Sequence, residues 1–217
     1  MSEPITPTRD SERSKTAILN AATELFCAKG FNATSIGDIA SAAGLARGTP
    51  AYFFGSKEDL YKAVLEAILV KSQQIIPNAL ERAGTNPSPN RLIEVFTDAY
   101  MDFHHHNPEF LRLMHWIALE QNRLMLEVQA HWLSITQIMQ SVMMTVTGST
   151  IEHEDQRQLV LSIIGICNAH LMYGQTLAEP MGLEPSSLQF LEQRKIHVKK
   201  ILKTALQTEV NHEKYLS

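Results

Sequence analysis

Apolar side chains return at three- and four-residue intervals along almost the whole chain, the spacing that gathers them on one face of a helix. Ile18, Leu19, Ala22, Leu25 and Phe26 mark the first such stretch, from Asp10 or Ser11 to Lys29, and Gly30 stands where a chain leaving a helix favours glycine. Two short helices are predicted next, over about 35–42 and 46–53, parted by Ala43, Gly44 and Leu45. Ser56 can cap a longer helix in which Leu60, Ala63, Val64, Ala67 and Ile68 run on to about Ile76, with Pro77 marking its bend or end.

Turn residues crowd the stretch from Ala83 to Asn90, the clearest loop in the sequence. Beyond it Leu92, Val95, Phe96, Ala99 and Phe103 predict one helix, Pro108 opens another to about Leu119, and a third runs from about Asn122 to Val146 before Gly148. Residues 155–177 are apolar on nearly every side, which is too hydrophobic for a surface helix of a monomer and predicts a second molecule as cover. A last helix is expected from about Ser187 to Leu206, and no stretch reads as a strand. The sequence therefore divides into a flexible arm over 1–10, with two prolines and no apolar period, a three-helix head over 11–56, and a larger helical bundle over 57–217.

Composition narrows the picture without changing it. An apolar content of 44% and a charged content of 19% in 217 residues are those of a soluble globular protein. With no long apolar run and no leader pattern at Met1–Pro7, a cytoplasmic chain with no membrane association is expected. Cys27 and Cys167 lie far apart in apolar helices and read as buried free thiols. No phosphate-cradling glycine loop, HExxH, GxSxG or paired-carboxylate pattern is present, so the chain does not read as an enzyme, and no cofactor is expected.

Residues 36–54 have helix-turn-helix spacing. Ala40 is small where two helices would cross closely, and Gly44, four positions on, can take the left-handed conformation that reverses the chain. Ile39, Ala43, Leu45 and Phe53 would fill the miniature core and hold the second helix toward a DNA major groove. Over residues 1–60 the chain is not basic: Arg9, Arg13, Lys15, Lys29, Arg47 and Lys57 stand against Glu3, Asp10, Glu12, Glu24, Asp38, Glu58 and Asp59, and the whole chain carries a formal charge of -4. DNA binding would therefore rest on local geometry rather than on bulk charge.

Gly30 to Ile36, Asp38-Ile39-Ala40, Ala43-Gly44-Leu45, Arg47-Gly48-Thr49 and Phe54 to Leu60 together resemble the N-terminal signature of the TetR family of transcriptional regulators. The resemblance implies an all-α fold in which a three-helix DNA-binding head precedes a helical ligand-binding and dimerisation bundle. It implies a homodimer that binds a palindromic double-stranded DNA operator and responds to a small-molecule effector, the usual outcome being release of a repressor. It also implies DNA contacts from Thr34, as cap of the first motif helix, and from Ser35, Arg47, Gly48, Thr49, Tyr52, Phe53 and Lys57. Arginine suits guanine, threonine suits a thymine methyl, and a lysine at a helix start suits phosphate. Phe53 can equally be core, Gly48 a point of close backbone approach, and Lys57 a solvated helix-start residue. Three positions depart from the family pattern: Gly37 replaces a long polar residue, Pro50 an aliphatic one, and Ala51 a tyrosine for which neighbouring Tyr52 can compensate. Those departures leave a second reading open, a helical protein-interaction module without sequence-specific DNA binding.

In the bundle, Tyr100, Phe103, His104, Met114, His115, Trp116, Met125, His131, Trp132, Met139 and Tyr173 combine bulk with sparse polarity and are the candidates for a largely apolar effector site. Leu161, Ile164, Gly165, Asn168, Ala169 and Met172, with Val198, Ile201 and Leu202, are the candidates for the dimer seam, Gly165 and Ala169 permitting close helix approach. Consecutive helical residues diverge by about 100°, so His104, His105 and His106 cannot all reach one ion, and no metal site is expected.

Overall fold

A computed structural model of the chain describes residues 9–121, 123–147 and 153–216, the side chains of 9, 139, 142–147, 153–156 and 206–216 excepted. The expected arm lies outside the described residues as far as position 8, as do the proposed helix start at Asn122 and the stop at Gly148. The described residues form helices and turns with no strand, which is the all-α fold expected.

Among the described residues ten α-helices follow one another: α1 (Arg9–Lys29), α2 (Ile36–Ala42), α3 (Thr49–Phe54), α4 (Lys57–Ser72), α5 (Ile75–Ala83), α6 (Pro89–His106), α7 (Pro108–Leu119), α8 (Met125–Thr147), α9 (His153–Met172) and α10 (Leu188–Leu216). A π-helical turn at Gly174–Ala178 and a 3-10 turn at Glu179–Met181 lie between the last two. Two compact units result. One joins residues 1–71 to 109–128; the other joins 72–108 to 129–217.

Three boundaries differ from expectation for local reasons. Pro77 does not end a helix but sits in the first turn of α5, where its missing amide hydrogen is one that a helix start leaves unbonded in any case. The α3 helix begins at Thr49 rather than 46, because Ala46 to Gly48 turn first and Thr49 N donates to Ala46 O at 2.9 Å. Finally, α10 runs ten residues beyond the predicted stop at Leu206.

In the second unit α6 is the central helix, with α5, α9 and α10 packed on it. Val95 and Ala99 meet Ala79 of α5, while Met101 joins Cys167, Leu191, Val198 and Leu202 in a second apolar cluster. Along one edge of α6, Glu94, Asp98 and Asp102 pair in turn with Lys203, Lys199 and Lys195 of α10, a ladder at four-residue steps on two antiparallel helices. Both cysteines are free and buried. No helix among the described residues is long and apolar enough to cross a membrane.

Candidate nucleic-acid interface

The α2–α3 motif is held by its own backbone before any side chain is considered. Gly44 takes φ +69°, as its place in the motif predicted, and the reversal is closed by Leu45 N donating to Ala40 O at 2.9 Å. Ile39 and Ala40 are buried beneath it. At the other end Ser35, not Thr34, caps α2: its Oγ accepts from Asp38 N at 3.1 Å, and Asp38 Oδ2 accepts from Ser35 N at 3.2 Å. Thr34 instead points inward at 2% exposure and donates to Gly30 O at 2.7 Å, so its hydroxyl is not presented to a phosphate. The same reciprocal cap recurs at α4, between Ser56 and Asp59.

The loop from Gly30 to Thr34 is clamped from two sides. Lys57 donates to Phe31 O and to Thr34 O, both at 3.0 Å, and its ammonium lies 4.1 Å from the centre of the Phe31 ring. It was expected to serve phosphate or stand in solvent; it is committed to the loop. From the other side Glu120, just past α7, accepts from Phe31 N and Asn32 N at 3.3 and 3.1 Å. Trp116 donates its indole N–H to Cys27 O at 3.1 Å. Gly30, at φ +78°, lets both approach: a Cβ there would lie 2.7 Å from each of those side chains. Sequence reasoning placed Trp116 in a ligand pocket and missed Glu120. The signal it lacked is a contact spanning nearly ninety residues.

What remains outward is a small set. Ser35, Arg47 and Gly48 are exposed, Thr49 and Phe53 are half-buried, and Tyr52 is 84% exposed with its ring edge against Phe53. Pro50 is buried in the first turn of α3 and Ala51 is exposed. Among the described head side chains, Lys29 pairs with Asp38, Arg13 with Asp10 and Lys15 with Glu12, and Lys57 is taken by carbonyls. Arg47 has neither kind of partner among the described residues, so it is the head's uncommitted cation.

The effector candidates divide between the units. Met114, His115, Trp116 and Met125 belong to the first, where Met114 is buried and His115 exposed. Tyr100, Phe103, His104, His131, Trp132 and Tyr173 belong to the second; Met139 lies outside the described side chains. Tyr100 packs edge-on against His104 at 4.3 Å, and its hydroxyl oxygen accepts from Asn168 Nδ2 at 2.9 Å. His104 is 1% exposed, and burial, helped by neighbouring His170, lowers its pKa to about 3. Burial and the Arg194 guanidinium lower that of His170 to about 4. Among the described residues no partner reaches Asn168 Oδ1, while a backbone bond at Cys167 opposes the lowering at His170. His131 Nε2 is 2.9 Å from Ser72 Oγ, and Tyr173 is half-exposed.

Of the seam candidates, Leu161, Gly165, Met172 and Ile201 are exposed, and Ile164 and Ala169 half-buried. Asn168, Val198 and Leu202 are taken up inside the chain itself, Asn168 by Tyr100 and the other two by the Met101 cluster. Of the three consecutive histidines, His104 is buried, His105 half-buried and His106 turned to Asp102 O at 2.7 Å, so they share no focus.

Comparison with known proteins adds three findings. The family model for bacterial regulatory proteins of the tetR family matches residues 18–64, which spans α2, α3 and their flanks. No curated protein matches the chain. Among solved structures, a TetR-family transcription regulator from Marinobacter aquaeolei VT8 superposes with a TM-score of 0.64 at 18% identity, over 88% of this chain and 96% of that one. A TetR-family regulator from Streptomyces coelicolor gives 0.64 at 17% identity over 89% and 96%, and a transcriptional regulator from Aquifex aeolicus VF5 gives 0.63 at 18% over 88% and 99%.

Proposed function

We propose that the chain, whose residues 18–64 match the TetR-family model and whose fold is that of solved TetR-family regulators, is a dimeric repressor that leaves a palindromic operator when a small, largely apolar effector binds its second unit. The observation that carries this reading is Arg47. It is an uncommitted cation at the entrance to α3, beside exposed Gly48, half-buried Thr49 and the solvent-facing ring of Tyr52. In a chain whose net charge repels DNA, a cation set at a defined place in the motif and free to meet a base edge is what specific binding requires. Arg47 and Thr49 read base edges, while Ser35 and Tyr52 position the head on the backbone. Lys57 contributes indirectly, by fixing the loop beneath the motif.

Dimerisation would set two α3 helices about 34–36 Å apart, one turn of DNA. The exposed apolar residues Leu161, Met172, Ile196 and Ile201 on α9 and α10 support that association, as does Gly165, where an added Cβ would meet nothing within 4 Å. For the effector, the support is the polarity of half-buried Tyr100 and of buried His104, Asn168 and His170, which gives an apolar layer a few groups able to orient a ligand. A ligand favouring one head separation over the other shifts operator affinity by its own differential affinity.

The test is selection from a random DNA pool at fixed salt. Enrichment of a palindrome by the parent, lost with Arg47→Ala, is the expected result. Absence of enrichment over random DNA sinks the regulator reading and leaves the protein-interaction module.

A further inference from the structure

Gly37 has no conformational reason to be glycine. It is the second residue of α2, its φ lies outside the left-handed region, and inside a helix glycine is less favourable than alanine. What sits against it is Arg47. A Cβ at Gly37 would lie 3.5 Å from Arg47 Nε, 4.0 Å from Arg47 Cζ and 3.7 Å from Ser35 Oγ. The guanidinium therefore lies across the first turn of α2, in the volume that a longer side chain at 37 would occupy.

Arg47 is exposed, leaves the chain in the turn before α3, and has no carboxylate among the described residues to hold it. An unheld arginine carries several rotatable bonds whose freedom must be given up when its fork meets a base edge. The flat surface left by a missing side chain limits that freedom beforehand, because a planar guanidinium packs closely on exposed backbone.

We propose that Gly37 is the positioning residue of Arg47: by leaving the first turn of α2 bare it seats the guanidinium against that turn and so sets which base the head prefers at the position Arg47 reads. The proposal rests on the DNA-binding reading above and adds that the bare helix turn determines specificity, although position 37 itself supplies no donor.

A double-mutant cycle on full-length protein tests it, with affinity and base preference read for the parent, Gly37→Ala, Gly37→Leu, Arg47→Ala and the Gly37→Leu/Arg47→Ala pair on the operator enriched by the parent. Gly37→Leu is expected to weaken binding about tenfold and to relax the same base position that Arg47→Ala relaxes. Gly37→Ala, whose methyl meets Nε at an ordinary contact distance, is expected to fall between the parent and Gly37→Leu. In the Arg47→Ala background, Gly37→Leu should add less than about twofold, since the residue it displaces is gone. Helical content and thermal unfolding of each variant separate these effects from misfolding, and Gly37→Gln replaces Gly37→Leu if the latter does not fold. An equal penalty from Gly37→Leu in both backgrounds, with base preference unchanged, overturns the positioning role while leaving DNA binding intact. Failure of the parent itself to enrich any sequence overturns both.

Discussion

The loop beneath the recognition motif and the α6–α9 layer of the second unit handle buried polarity in opposite ways. Around Gly30–Thr34, amides and carbonyls that are part-buried or exposed are matched by a carboxylate, an ammonium and an indole drawn from α4 and from the α7 segment. Between α6 and α9, histidines are buried against their charged forms, and Asn168 Oδ1 finds no partner among the described residues. A fully matched network fixes one geometry, whereas a partly matched one stays open to whatever supplies the missing bonds. Under the function proposed above, the first would suit a surface that presents Arg47 and Thr49 in register, and the second a layer that answers to a ligand.

Removing the indole should break the contrast most severely. Trp116→Ala takes away both the bond to Cys27 O and the ring packed over Gly30, and a loss of about 3 kcal/mol is expected, read as a lower urea midpoint. Acid should act on the other side. Because the folded pKa of His104 is depressed to about 3, an unfolded chain takes up protons below about pH 6.5 that the folded chain refuses, so stability is full above that pH and is lost as pH falls toward 3. Between pH 7.5 and 5 this amounts to about 2 kcal/mol for His104, with a smaller loss in the same direction from His170; His104→Phe should flatten the profile measured by thermal unfolding. Glu120→Gln keeps an acceptor but discards the charge that strengthens two amide bonds, and about 1 kcal/mol is expected from the same urea titration. Smallest is Lys199→Met, which opens one rung of a partly exposed ladder for less than about 1 kcal/mol, diminished further by added salt.

What the sequence made legible was local. The Ala40–Gly44 spacing, the glycine after Lys29 and the serine before α4 each act within a turn or two of chain, so neighbouring residues suffice to read them. The cap of α2 was misplaced by a single residue, Thr34 for Ser35, because both are hydroxyl residues and only side-chain direction separates them. Helix α5 was lost because proline is legible both as a stop and as a first-turn residue. The candidate site was legible in its outward residues and not in its supports: an indole and a carboxylate near position 118 look like any other side chains of an amphipathic helix until the fold lays them on Cys27 and Phe31. In the second unit, composition identified aromatic and histidine residues, but which of them share a unit depends on where the chain turns back, and that is a property of tertiary packing.

The return of residues 109–128 to the unit begun by residues 1–71 has a practical meaning for anyone wishing to transplant this head. Cutting after α4 would deliver the whole recognition motif yet leave behind Trp116 and Glu120, so the excised piece would carry an uncovered Gly30 and the Phe31 and Asn32 amides without their carboxylate. A chimera that exchanges the second unit must be spliced at three joints, near 71, 108 and 128, rather than at one hinge. Recombination between relatives would be expected to respect the same seams.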